Sequence, residues 1–113
     1  MVIGPRRRAA LALLALACAP AVTVRPGSGA GPTIFRVEAS AQQVVLSGTM
    51  TGWRGQPLER RQGAFELRLE LPPGRYEYRL ELRDTTGARV VHPRDAERVA
   101  DGFGGENAVL RIP

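Results

Sequence analysis

The stretch that decides the fold runs from Ala64 to Leu82 and reads AFELRLELPPGRYEYRLEL. Apolar and charged side chains alternate one by one on both sides of the Pro72-Pro73-Gly74 triplet, which is the pattern of strands with one buried face. Neither proline can donate a hydrogen bond to a neighbouring strand, so the triplet predicts a turn. We therefore expect two strands, 64–71 and 76–83, joined as a β-hairpin.

Weaker period-two patterns extend on both sides of this hairpin, and no sustained helical stripe interrupts them. They predict short strands at Ile34–Ala39, Gln43–Ser47, Ala88–Val91 and Ala108–Ile112. Short strands with turn residues about every ten positions indicate an all-β sandwich. We expect about seven short antiparallel strands in one domain, residues 33–113. The inward faces should carry Phe35, Val37, Val44, Leu46, Phe65, Leu67, Leu69, Tyr78, Leu80 and Leu110.

The first 17 residues resemble a secretory signal peptide. Met1–Arg8 is basic and Ala9–Ala17 is an uninterrupted apolar run, too short to span a membrane as a helix. Leu14–Cys18 resembles the lipobox of bacterial lipoproteins, in which the cysteine carries the lipid. We expect lipidation of Cys18 and an exported, membrane-anchored protein of the cell envelope. The alternative is an ordinary signal peptide cut after Ala17, which gives a periplasmic or secreted protein.

Residues 18–32 separate this leader from the strands. The segment is rich in Gly, Pro, Ala and Ser, and neither a helical nor a strand periodicity stands out in it. Such a composition is typical of a flexible linker.

Charge and cysteine content exclude several classes of function. All 16 basic residues are Arg; without the three in the leader, 13 remain against 11 acidic residues, a net charge of +2. Charges of both signs alternate along the strands, as in Glu66–Glu70, which is typical of a solvated surface and not of a nucleic-acid interface. One Cys and one His build neither a disulfide framework nor a zinc site, so we expect no metal and no cofactor.

Catalysis is also not expected. The acid-base candidates are His92, Asp84, Asp95 and Asp101. The sequence does not place a nucleophile, a base and an orienting group together, so we expect a binding module and not an enzyme.

Three spaced patterns give the folded part a family resemblance. They are G-x-x-x-x-W at 48–53, L-P-P-G-x-Y-x-Y at 71–78 and D-G-F-G-G-x-N at 101–107. In this order and spacing they resemble the glycogen-binding module of the β subunit of AMP-activated protein kinase. They are also similar to the N-terminal modules of isoamylases and branching enzymes, the family 48 carbohydrate-binding modules. The resemblance implies an immunoglobulin-like, early-set sandwich that binds α-glucans such as glycogen or maltooligosaccharides.

The resemblance also implies roles for five residues. Trp53 takes the place of a Trp that stacks on glucose, and Arg79 that of a basic residue that donates to sugar hydroxyls. Phe103 takes the place of an apolar late-loop residue and Asn107 that of an Asn that hydrogen-bonds the sugar. Arg89 falls where the family has a second stacking Trp.

Each assignment has a purely structural alternative. Trp53 could close one end of the sandwich, and Arg79 could form a cross-strand ion pair. Phe103 could cover the edge of the core, and Asn107 could be a turn residue bonded to its own backbone.

Two departures from the family pattern weaken the sugar-binding interpretation. Arg89 replaces the second aromatic residue, and Met50-Thr51 replaces the usual Phe-Asn before the first Trp. The competing hypothesis is a protein-interaction or scaffold module of the envelope that has lost sugar binding, with strand edges as its docking surface. A glucan site requires Trp53 exposed on the same side as Arg79 and Asn107. A partner site requires an apolar patch or open edge elsewhere.

Overall fold

The structure is a computed structural model that describes residues 19–28 and 31–113. Within these residues it contains ten strands and one short 3₁₀ helix. The strands are β1 (Ala21–Arg25), β2 (Thr33–Glu38), β3 (Gln43–Gly48), β4 (Gln56–Pro57), β5 (Glu59–Arg61), β6 (Ala64–Leu69), β7 (Gly74–Asp84), β8 (Gly87–Val91), β9 (Glu97–Ala100) and β10 (Glu106–Ile112), and the 3₁₀ helix is Thr49–Thr51. No described helix has the length and apolar character that crossing a bilayer requires.

The strands form two antiparallel sheets that face each other as a sandwich. The first sheet has the order β1-β2-β6-β5; the second has the order β4-β3-β7-β10-β9, with β8 also paired to β7. This confirms the prediction of an all-β, immunoglobulin-like sandwich. The described strands number ten, not about seven. Strands β4, β5 and β9 are short and lack a clear alternating pattern, and the alternation of β1 extends over five residues only.

The core lies between the two sheets and has the composition expected from the alternation. Its buried cluster consists of Phe35, Val37, Val44, Leu46, Leu58, Phe65, Tyr78, Leu80, Leu82, Ala108, Leu110 and Ile112. Phe35 of the first sheet meets Tyr78 of the second edge to face, with 5.4 Å between ring centroids. Leu67 and Leu69, which we expected inside, are partly buried against this cluster.

The predicted hairpin between β6 and β7 is wrong. Strand β6 pairs with β2 and β5 in the first sheet, whereas β7 pairs with β3, β8 and β10 in the second. The Pro-Pro-Gly segment therefore carries the chain from one sheet to the other. Tyr76 fixes this crossover, since its hydroxyl donates to the Pro72 carbonyl at 2.6 Å, an arrangement similar to the tyrosine corner of immunoglobulin folds. A hairpin and a crossover between sheets produce the same alternating pattern, because in both arrangements the inward faces of the two strands pack into one core.

The predicted flexible linker is wrong at Ala21–Arg25. These residues form β1 and pair along their full length with β2, from Ala21 opposite Glu38 to Arg25 opposite Ile34. Val22 and Val24 pack against the core, and the Gly27 N–H donates to the buried Thr33 hydroxyl. The free edge of β2 supplies the hydrogen-bond partners of these residues, and this pairing cannot be predicted from the local sequence. The lipidation predicted for Cys18 and the signal peptide 1–17 lie outside the described residues.

Strand β7 positions the residues around Arg79, because two strands share one of its edges. Its other edge pairs with β3 from Gln43 to Gly48. Along the shared edge, β10 pairs with the first part of β7 up to Tyr78, and β8 pairs with the second part from Leu80 onward. Arg79 stands at the point where β10 and β8 part, with its side chain on the outer face of the sheet, away from the core.

We expect Gly48→Ala to destabilise the module by about 1–3 kcal/mol, the usual cost of overpacking. A Cβ at Gly48 would lie 2.5 Å from the Glu77 carbonyl oxygen and 2.8 Å from the Tyr78 Cβ, so β3 and β7 would have to separate. Urea denaturation checks this against Gly31→Ala, whose added Cβ meets nothing within 4 Å. Equal stability of the two variants would contradict the account.

Candidate functional site

The loop after β3 presents Trp53 to solvent. The 3₁₀ turn ends in a Schellman arrangement: the Trp53 N–H donates to the Gly48 carbonyl at 2.8 Å, and Gly52, at φ 64°, takes the left-handed position. Trp53 itself has φ 63°, an uncommon conformation for a large side chain that costs about 1–3 kcal/mol and concentrates at functional sites. Trp53 is 44% exposed and is not part of the core, so it does not close the sandwich.

Two threonine hydroxyls hold this loop in place. Thr51 Oγ1 accepts from the Gly48 N–H at 3.1 Å and donates to the Arg54 carbonyl at 2.8 Å. Thr49 Oγ1 accepts from the Glu77 N–H at 3.2 Å and so ties the loop to β7. Thr51, which we noted as a departure from the family pattern, thus closes the loop around the Trp.

The late loop, residues 101–105, is built around one carboxylate. Asp101 Oδ1 accepts from the N–H groups of Phe103 at 2.7 Å and Gly105 at 3.0 Å, and these bonds lower the pKa of Asp101. The Asp101 N–H donates to the Gly105 carbonyl. At the tip, Phe103 is 94% exposed and therefore does not cover the core.

The polar groups of the outer face lie between these two loops. Asn107 belongs to β10 and is only 5% exposed. Its Nδ2 donates to Glu77 Oε1 at 3.5 Å, while no described residue bonds its buried Oδ1. Hydrogen bonds from Arg75, and then from Asn107, lower the pKa of Glu77. Asn107 is therefore a strand residue with an unpaired acceptor and not a turn residue.

Arg79 faces the late loop and not its neighbours along β7. Its guanidinium lies 3.9 Å from Asp101 Oδ2, a long contact for an ion pair. No salt bridge joins it to Glu77 or Glu81 among the described residues. Its N–H groups therefore remain available for another acceptor.

These side chains surround one cavity of about 360 Å³, here called the first cavity. Its lining is Trp53, Glu77, Arg79, Ala100, Asp101, Phe103 and Asn107. Four of the five residues assigned from the family resemblance thus lie together. Glu77 and Asp101 were missed as site residues, although the period-two pattern that places Arg79 outside places Glu77 beside it.

Arg89 is the residue that the structure does not bring to this cavity. It pairs with Leu82, whose side chain is in the core, so Arg89 points to the core side of the sheet edge. It lines a separate cavity with the turn at Asp84–Gly87. The length of that turn sets the register of β8, and Val90 is consequently the residue opposite Glu81 on the outer face.

A second cavity of about 470 Å³ lies where β8 turns away from β10. Its lining is Arg79, Val90, His92, Asp101, Gly104, Gly105 and Glu106. Arg79 and Asp101 line both cavities and separate them. Val90, His92 and Glu106 did not emerge from sequence reasoning as binding residues, because their placement depends on the register between β7 and β8.

Fold and surface together define a class of protein. Sugar rings have an apolar C–H face and a rim of hydroxyls, and they are bound by exposed aromatic faces beside convergent hydrogen-bonding groups. An immunoglobulin-like sandwich with Trp53, Phe103, Arg79 and Asn107 around one cavity has the features of a carbohydrate-recognition module.

Comparison with known proteins places the chain in a particular family. Residues 31–113 match the glycogen recognition site of AMP-activated protein kinase, and the chain belongs to that family. This is a recognition module without a catalytic centre of its own, and the chain is accordingly not an enzyme.

The similar proteins are β-1 subunits of 5'-AMP-activated protein kinase. The chain is 40% identical to the subunit of Rattus norvegicus over 83 residues, which are 74% of this chain and 29% of the relative. It is 38% identical to that of Homo sapiens over the same shares. With the Sus scrofa sequence it shares 34% identity over 91 residues, 80% of this chain and 71% of the relative. The chain thus spans under a third of the rat and human subunits.

We expect Asp101→Ala to release the late loop, because it removes the acceptor of two backbone N–H groups. Backbone order parameters of residues 102–105 should fall from about 0.85 to below about 0.6 in ¹⁵N relaxation measurements. Asp101→Asn keeps an oxygen at the same place and should preserve the order. A loop equally ordered in the Ala variant would show that the carboxylate does not shape it.

Proposed function

We propose that this module binds α-glucan chains, such as glycogen or maltooligosaccharides, on the outer face of its second sheet. The observation that carries the proposal is the first cavity, where an exposed Trp, an exposed Phe, a free guanidinium face and the side chain of Asn107 converge. Membership of the glycogen-recognition family supports the same ligand class.

Each side chain has a distinct part in the binding step. The indole of Trp53 stacks on the C–H face of a glucosyl ring. Arg79 donates hydrogen bonds to ring hydroxyls, and the Asn107 side chain adds a polar contact in the cavity wall. Phe103 is almost fully exposed in the free protein. When it packs against the sugar, its apolar surface is removed from water, which favours binding by about 25 cal/mol per Å² of apolar surface buried.

The competing scaffold hypothesis has less support. It required an apolar patch or open edge away from the sugar site. The exposed large apolar side chains among the described residues are Trp53, Val90 and Phe103, and all three line the first or the second cavity. The apolar patch that the scaffold hypothesis needs is therefore not found elsewhere among these residues, whereas open edges such as those of β1 and β5 are present.

We expect Trp53→Ala to weaken binding of maltoheptaose at least tenfold, because it removes the stacking face. Isothermal titration calorimetry measures the affinities. Arg89→Ala is the matched control, since Arg89 lies outside both cavities, and its affinity should equal that of the wild type. Because the chain has one Trp, the quenching or shift of wild-type fluorescence on titration reports on the same site. Unchanged affinity in Trp53→Ala would refute the proposed site.

We also propose that the protein is exported and held at a membrane by a lipid on Cys18. The basic and apolar leader and the lipobox-like Leu14–Cys18 support this. Each buried methylene of an acyl chain contributes about 0.8 kcal/mol to membrane binding, so several chains on one residue anchor firmly. Since β1 begins at Ala21, only Ala19 and Pro20 separate the anchor from the folded module.

We expect the chain, produced in a bacterial host, to incorporate radiolabelled palmitate and to sediment with membranes. Cys18→Ser should abolish both the label and the sedimentation, whereas the glucan affinity of the purified protein should be unchanged because the site lies elsewhere. Wild-type protein without label in the soluble fraction would refute the anchor and favour the ordinary signal peptide.

A further inference from the structure

Five of the described strands pair on one side only, and four of these carry a residue that opposes further pairing. The five are β1, β4, β5, β8 and β9. Strand β4 contains Pro57, which cannot donate a hydrogen bond to a neighbour, and β5 consists of the charged residues Glu59–Arg61. Prolines and charged side chains on an edge strand, above all charges on the core side, are the usual protection against the addition of another chain.

Strands β8 and β9 carry their charge on the core side. Arg89 of β8 stands opposite Leu82, and Arg98 of β9 stands opposite Ala108. Leu82 and Ala108 both belong to the core. Because directly opposite residues share a face of the sheet, both Arg side chains point to the core side. A strand added at either edge would have to bury a guanidinium group without a partner, which costs free energy.

Strand β1 has neither a proline nor a charge on the core side. Its core-side residues are Val22 and Val24, since they stand opposite the buried Val37 and Phe35. Its one charge, Arg25, lies at the end of the strand on the outer side. Val22 and Val24 also line a further cavity of about 520 Å³. The free edge of β1 thus offers backbone groups for pairing and apolar space for the side chains of another strand.

The sequence of β1 is complementary to itself. Residues 20–26 read PAVTVRP, with Thr23 at the centre and a proline three residues away on each side. When two copies pair antiparallel with Thr23 opposite Thr23, each Val meets a Val and Arg25 meets the uncharged Ala21. β-Branched residues pack well on a pleated sheet, and no like charges face each other. A slip by two residues would place a proline opposite a strand residue, where it donates no hydrogen bond, so the centred register is favoured.

We propose that the partner of β1 is β1 of a second copy of this chain. The two first sheets then join into one sheet of eight strands about a twofold axis at Thr23. Such a contact is isologous, because each copy gives and receives the same interactions. Val22 and Val24 of each copy enter the space along the core side of the other. This association requires neither the glucan nor the lipid on Cys18.

Cysteines at two positions of β1 test the register. Thr23→Cys, in a chain that also carries Cys18→Ser, should form a disulfide-linked dimer in air, because directly opposite Cβ atoms lie about 4.5–5.5 Å apart. Ala21→Cys in the same background is the matched control, since Ala21 is also exposed on the outer side of β1. The two Ala21 positions lie four residues apart along the paired strands, about 14 Å, beyond the reach of a disulfide. Equal cross-linking of both variants, or none in either, would overturn the pairing.

A charge at the twofold axis tests the strength of the contact. Thr23→Glu places two carboxylates opposite each other and should weaken the dimer about fivefold, whereas the uncharged Thr23→Gln should leave it unchanged. Within each copy residue 23 stands opposite Arg36 of β2, so the new carboxylate does not disturb the fold, which thermal unfolding checks. Sedimentation velocity over a concentration series gives the dissociation constants of the dimers.

Two results of the sedimentation experiment contradict the proposal. Equal dissociation constants of the Thr23→Glu and Thr23→Gln dimers would place the contact elsewhere on the chain. A wild-type chain that is monomeric at every concentration would leave the edge of β1 to an extended segment of another protein.

Discussion

One edge of β7 has two partners in succession, and the rest of the site depends on this constraint. Strands β10 and β8 pair with the same edge on either side of Arg79, so they must part at that residue. Where they part, the sheet has a gap on its outer face, and the late loop that leads into β10 fills it. The two cavities are the spaces that remain on each side of Arg79 and Asp101.

The two loops that complete the site are held by different contacts. Around Trp53, two threonine hydroxyls and a glycine pressed against β7 determine the backbone. Around Phe103, a single carboxylate binds two N–H groups. Both arrangements hold a large apolar side chain out of the core without an apolar partner. This costs free energy in the unbound protein, and a ligand that covers these rings recovers it.

The sequence predicted the sandwich, most of its core and four of the residues that line the first cavity, because period-two alternation and the spaced family patterns are local signals. The sequence did not predict the features that depend on which strands pair and in which register. Identical alternation fits a hairpin or a crossover, so β6 and β7 were joined wrongly. Strand β1 alternates in and out over its five residues, but the segment is short and the Gly- and Pro-rich residues that follow it favoured a linker, and its pairing with the edge of β2 is not a local signal. The misplacement of Arg89 has the same origin: the turn at Asp84–Gly87 shifts β8 by one residue, and such a shift moves every side chain to the other face.

The short approach to β1 has a consequence for where the module works. Ala21 lies beside Glu38 at the end of the sandwich where β3 begins, and the Trp53 loop follows β3 at its other end, about 17 Å along the strand at the usual rise per residue. The three peptide units from Cys18 to Ala21 extend at most about 11 Å. The proposed lipid on Cys18 would keep the β1 end of the module within this distance of the bilayer and leave the Trp53 loop at the opposite end of the sandwich. If the module also binds glucan as proposed, the polymer would be held within about one module's length of the lipid headgroups, and several anchored copies would bind one glucan chain at several points.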